Sequence, residues 1–346
     1  MTGSATSSSA GAAAGARGGR PSARLHVVTG KGGTGKTTVA AALALALAAG
    51  GRRVLLVEVE GRQGIAQLFD TPPLPYEERR VAVAQGGGEV LALAIDAEEA
   101  LLEYLDLFYH LGRAGRALKK IGAVDFATTI APGLRDVLLT GKAYEAVRRR
   151  DKAGRPVYDA VVMDAPPTGR ITRFLNVNTE VAGLARVGPI RNQADSIMGL
   201  IGSPQTAVHL VTLLEEMPVQ ETLDAVHELT AADLPVGAVV VNMVRRPRLE
   251  DDELTAAAAG RLDRAEVAAG VKAAGLGGGR GNGEKVVDAL IAEAADHAER
   301  VRLEAQERDN LVALGRPTYE LPVVPDGVDL GALYELAALL REQGMA

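Results

Sequence analysis

Short apolar runs rich in valine and leucine alternate along this chain with longer stretches in which apolar residues return at helical spacing. The runs at 25–29, 53–59, 90–95, 157–163, 208–213, 236–242 and 318–321 read as strands, and the stretches between them as helices. That alternation predicts an α/β fold: a doubly wound, mostly parallel sheet covered by helices on both faces. Ligands of such sheets bind at the carboxyl ends of the strands, so the residues that follow each run are the first place to look for chemistry.

Two stretches interrupt the alternation. Residues 97 to about 150 and 180–206 read as helical, and the pattern places them in a helical subdomain inserted above the strand ends. In the first, Leu101, Leu105, Phe108 and Leu111 recur at helical spacing, with Leu102 and Tyr109 widening the stripe; Ile190, Ile197, Met198, Leu200 and Ile201 form a second apolar group. Mutual packing as subdomain core is the plainer reading and a client groove the sharper one; a promiscuous groove tends to be methionine-rich, and only Met198 falls here. Residues 1–22 are Ser/Ala/Gly-rich with Arg17 and Arg20 and no acid, which predicts a disordered tail ahead of one folded unit over 23–346. Gly275 to Gly283 reads as a hinge before a long charged helix over 284–313. The last helix, 329–343, carries Leu330, Leu333, Leu336 and Leu340 with Arg341 as its only base, which favours packing on the domain over membrane binding.

The first strand leads into Gly30-Lys31-Gly32-Gly33-Thr34-Gly35-Lys36-Thr37, and Thr38 opens an alanine/leucine helix that stops at Gly50-Gly51. This is a phosphate-binding loop in its required context, which makes the fold a P-loop NTPase and ATP the expected ligand. The glycines allow the backbone N–H groups and the helix N-terminus to close round an anion. Lys36 brings a point charge to the β and γ oxygens, and the Thr37 hydroxyl is placed to ligate Mg²⁺. The fourth strand delivers Asp164 as a second magnesium ligand. The Pro166-Pro167-Thr168-Gly169 turn behind it is suited to sensing a γ-phosphate.

Composition narrows the classes further. The 346 residues are 47% hydrophobic, enough for a sizeable core, and contain no cysteine, which removes disulfides, thiolate metal sites and iron–sulfur clusters. A net charge of −6 argues against DNA binding by phosphate neutralisation, and the basic runs at 148–150 and 245–248 read as solvated faces. Neither a membrane-spanning run nor a signal-peptide core is visible, so a cytoplasmic protein without a transmembrane segment is expected. The five histidines lie far apart and show no ligand spacing.

With these motifs in order, the chain resembles the arsenite-pump and tail-anchored-protein-targeting ATPases of the deviant phosphate-loop class, as a single-domain member. The resemblance rests on the loop with its extra lysine, on Val54-Leu55-Leu56-Val57 followed by an acid, and on the run from Asp164 to Leu175. Pro132-Gly133, Val211-Thr212 with Glu221-Thr222, Asn242, and the run from Leu321 to Gly327 extend it over about 24–343. The resemblance implies that Lys31 is the signature lysine, reaching across a dimer to the partner's nucleotide as an arginine finger does. It implies adenine contacts from Asn242, Pro322, Pro325 and Asp326. It also implies a nucleotide-switched ATPase, hydrolysing ATP as a homodimer or as a heterodimer with a related chain, and handling a protein or membrane-associated client.

The chain departs from the family at the second strand. Where the family reads Ser-Thr-Asp-Pro-Ala-His, this sequence has Glu58-Val59-Glu60-Gly61-Arg62-Gln63. Glu60 aligns with the acid that orients the attacking water, and Glu58, two residues away on the same face, is the alternative. Without cysteine, neither the thiolate arsenic site nor the Cys-x-x-Cys zinc site of relatives can form. A partition or division-site ATPase of the same class, acting on DNA or membrane, is the competing expectation.

Overall fold

The computed structural model describes residues 23–109, 132–184, 189–276 and 282–346. The expected tail, Leu111 and the centre of the 275–283 hinge lie outside these residues, and so do the side chains of Leu105, Phe108, Tyr109 and Ile190.

Among the described residues the strands form one 8-stranded sheet in the order β3-β4-β2-β5-β1-β6-β7-β8. In chain order these are β1 (Leu25–Gly30), β2 (Arg53–Glu58), β3 (Arg79–Val83), β4 (Glu89–Ala94), β5 (Ala160–Asp164), β6 (Thr206–Thr212), β7 (Val236–Val244) and β8 (Thr318–Pro322). All neighbouring pairs are parallel except β3 with β4. The fold class is therefore the α/β P-loop type expected. The sequence pattern missed β3, a short strand whose Arg79, Arg80 and Val83 keep it partly in solvent at the sheet edge.

Period-two alternation sorts the strand side chains between two layers. Leu25, Val27, Leu55, Val57, Val161 and Met163 join one core, which also takes in Leu101, Leu138, Ile171, Phe174, Ile197 and Leu200 from the helices on that face. Val28, Val54, Leu56, Ala160 and Val162 face the other, against helix α1 (Lys36–Ala48). Helix α1 is apolar on all sides and is buried nearly throughout. It is sandwiched by the C-terminal helix (Leu330–Glu342), whose Leu333, Leu336 and Leu340 are buried while Leu330 stays exposed. This packs α1 between the sheet and that helix, with the loop ahead of it at the sheet's carboxyl edge.

Candidate active site

The loop 30–37 follows β1 at the centre of the sheet, and close packing dictates two of its glycines. A Cβ on Gly30 would sit 2.2 Å from the Val211 carbonyl oxygen, and one on Gly35 would sit 2.3 Å from Asn242 Nδ2. Gly35 also has a φ of +82, a left-handed conformation that costs other residues energy. Thus α1 starts at Lys36, directly behind the glycine, rather than at Thr38. At Gly32, by contrast, a Cβ would meet no protein atom within 4 Å, so sterics within the chain do not demand glycine there.

Beta pairing brings the second motif alongside. Val28 and Asp164 are register partners, and the Thr29 hydroxyl donates to the Pro166 carbonyl at 2.6 Å, fastening the Asp164–Thr168 turn to the start of the loop. Thr37 Oγ1 donates to Asp164 Oδ2 at 2.7 Å. The other oxygen, Oδ1, is buried and has no hydrogen-bond partner among the described residues. Burial pushes the Asp164 carboxyl up to about 6, although Thr37 and Lys36 pull it back; at neutral pH it is mostly ionised. An orphaned anionic oxygen beside a hydroxyl is a donor set for a hard cation that keeps most of its water and phosphate ligands, and Mg²⁺ fits it. Burial lowers the Lys36 pKa, while Asp164 and Glu60 raise it, and its Nζ reaches the Lys31 carbonyl at 3.5 Å.

The predicted residues divide into two sets. Lys31, Lys36, Thr37, Thr38, Glu60 and Asp164 follow the central strands β1, β2 and β5; Asn242 stands near the end of β7 and Pro322 at the end of β8, two and three strands from β1, with Pro325 and Asp326 just after β8. Asn242 is buried, and its Nδ2 donates to the Thr34 carbonyl at 2.9 Å, so the amide braces the loop. Pro322, Pro325 and Asp326 are exposed. Glu60 is half-buried, with Oε2 3.6 Å from the Arg62 guanidinium. Glu58 is buried, and both its oxygens accept backbone N–H groups, from Gln63 at 2.5 Å and Ile65 at 3.2 Å. That leaves Glu60 as the carboxylate of this strand end open to the site.

Sequence reading did not assign a role to Glu221. Lys31 Nζ lies 2.8 Å from its Oε1, and its Oε2 accepts the Thr168 hydroxyl at 3.2 Å. Glu221 appeared only as part of a family pattern, and nothing local to it signals this contact. His26 and His209 also meet, stacked across β1 and β6 with ring nitrogens 3.1 Å apart. His209 Nδ1 accepts the Ala238 N–H, and His26 Nε2 faces the Ala23 carbonyl at 3.0 Å, so both rings are held neutral. Burial lowers their pKa values to about 4 for His26 and about 3 for His209.

The profile of the anion-transporting ATPase family matches residues 23–204. ATPase BagA of Mycobacterium tuberculosis is 57% identical over 345 residues, covering 99% of both chains. ATPase GET3 of Kluyveromyces lactis is 25% identical over 64% of this chain and 72% of its own. The arsenical pump-driving ATPase of Acidiphilium multivorum is 28% identical over 66% of this chain and 41% of its own.

Proposed function

Since the chain belongs to the anion-transporting ATPase family, we propose that it binds Mg·ATP on the 30–37 loop and hydrolyses it to ADP and phosphate. The observation that carries this reading is the Thr37–Asp164 pair at 2.7 Å with Asp164 Oδ1 unpartnered beside it. Thr37 and Asp164 would hold Mg²⁺, which would supply positive charge to offset that on the phosphates. The loop N–H groups and Lys36 bind the phosphates, the Lys36 charge serving the β and γ oxygens. Glu60 orients the attacking water. Lys31 acts on the partner's nucleotide in a dimer, homomeric or formed with a related chain, which would couple nucleotide state to chain–chain contact.

The work driven is the handling of a protein or membrane-associated client in the cytoplasm. Among the described residues no helix is long and apolar enough to cross a membrane. The partition or division-site alternative draws no support from the matched relatives. Titration calorimetry tests the binding step: wild type takes up Mg·ATP, and Asp164→Asn binds nucleotide with its magnesium dependence weakened. Equal affinity with and without magnesium in wild type would remove Thr37 and Asp164 as the metal site.

A further inference from the structure

Glu58 closes β2 in register with Asp164 on the neighbouring strand, yet its side chain serves the backbone. It is 2% exposed, and a carboxylate so deeply buried is costly unless its oxygens are satisfied. Gln63 N–H and Ile65 N–H satisfy them. Gln63 is itself left-handed, with φ 56, and its amide pairs both ways with the Leu74 backbone, accepting N–H at 2.7 Å and donating to the carbonyl at 3.2 Å. On the other side, Arg135 reaches the Val59 carbonyl at 3.4 Å. The stretch from Glu60 to Arg62 is therefore held at both ends, with Glu60 on it. Just beyond it, the Gly64 backbone passes close to the proposed metal ligand: a Cβ there would come within 3.2 Å of Thr37 Cγ2.

We propose that Glu58 is the positioning residue of this site: by gripping the backbone of residues 63–65 it holds the loop that sets Glu60 over the attacking water. This rests on the reading of Glu60 given above. The family's acid is followed by a proline that stiffens the turn, whereas here Gly61 stands at that place with φ +68. A turn without that stiffness needs an outside brace, and Glu58 supplies it.

Glutamine matches glutamate in size but offers one acceptor oxygen, and its NH₂ confronts a backbone N–H, so Glu58→Gln releases one end of the loop. Turnover is expected to fall about tenfold to a hundredfold, as misplacement of a catalytic group does, with the KM for ATP within about twofold. Amide exchange over 59–66 quickens while α1 stays protected. Glu58→Asp, which keeps both acceptors, restores part of the turnover. In a Glu60→Gln background Glu58→Gln costs no further turnover, because the two act as one unit. Gln63→Ala loosens the same loop from the Leu74 side and repeats the pattern should glutamine at 58 prevent folding. Unchanged exchange over 59–66, or losses from Glu58 and Glu60 that simply multiply, overturns the proposal. Wild-type turnover in Glu60→Gln overturns its premise instead, and is told apart because exchange over 59–66 still quickens in Glu58→Gln.

Discussion

Lys31 and Glu221 form an ion pair within one chain, 2.8 Å between Nζ and Oε1, and the same carboxylate takes the Thr168 hydroxyl on its other oxygen. A lysine held there cannot at the same time reach a partner's nucleotide. Both partners are about one-third exposed in this pair, which bounds its strength to the range of surface ion pairs, about 0.2–1 kcal/mol. Glu221→Gln is therefore expected to lower the protein concentration needed for Mg·ATP-dependent dimerisation by about 1.5- to 5-fold. Sedimentation velocity with Mg·ATP checks this; an unchanged or higher concentration contradicts it.

If Lys31 acts across the interface, its loss is a transition-state defect. Lys31→Ala should bind ATP normally and lose at least about tenfold in turnover, since cationic fingers acting in trans are worth more than that. Mixing Lys31→Ala with Glu60→Gln rebuilds one working site per mixed dimer. Recovered phosphate release is the expected outcome, and none, with mixed dimers confirmed by native mass measurement, would show that the lysine acts within its own chain.

The loop glycines are unequal. Gly35→Ala forces a left-handed alanine and drives its Cβ into Asn242, which braces Thr34. A loss of about 2–3 kcal/mol is expected from the backbone strain and the broken brace together. Gly32→Ala meets no protein atom and should stay within about 0.5 kcal/mol of wild type. Urea unfolding of the two variants measures the contrast.

The stacked histidines make the fold acid-sensitive. Their folded pKa values, about 4 for His26 and about 3 for His209, lie below the ordinary value of 6.5, so the unfolded chain takes up protons first. Their stabilising contribution is full above that ordinary value and is lost as pH falls through the window below it. The expected slope is about 1.4 kcal/mol per pH unit for each histidine. Asp164, pushed up to about 6, has the opposite sign, but it is common to wild type and variant. Unfolding free energies measured from about pH 7 to about pH 5 should therefore fall more steeply in wild type than in a His26→Gln/His209→Gln chain. Parallel slopes would contradict the neutral pair.

What could be seen in the sequence was local. The 30–37 loop is legible because strand, glycines, lysine and helix follow one another directly, and Asp164 because it ends an apolar run. The Lys31–Glu221 and His26–His209 contacts were not legible, since they join residues brought together only by strand order, the histidines lying 183 positions apart. The role of Glu58 escaped notice for another reason: alternation places it on the face of Glu60, but only the path of residues 63–65 shows where its oxygens go. Strand β3 escaped because its arginines break the apolar pattern by which the other strands are recognised.

Phosphate release from Mg·ATP by wild type, Lys36→Ala and Asp164→Asn, assayed side by side with folding confirmed by circular dichroism, tests the central claim most directly. Lys36 carries the loop charge proposed to serve the β and γ oxygens, and Asp164 the full charge beside the proposed metal, so neither is replaced by backbone dipoles. Magnesium-dependent release by wild type, none above background by Lys36→Ala and a reduced rate with Asp164→Asn is the result expected. No release by wild type, or equal release by all three, would contradict the assignment of this site as an ATPase centre.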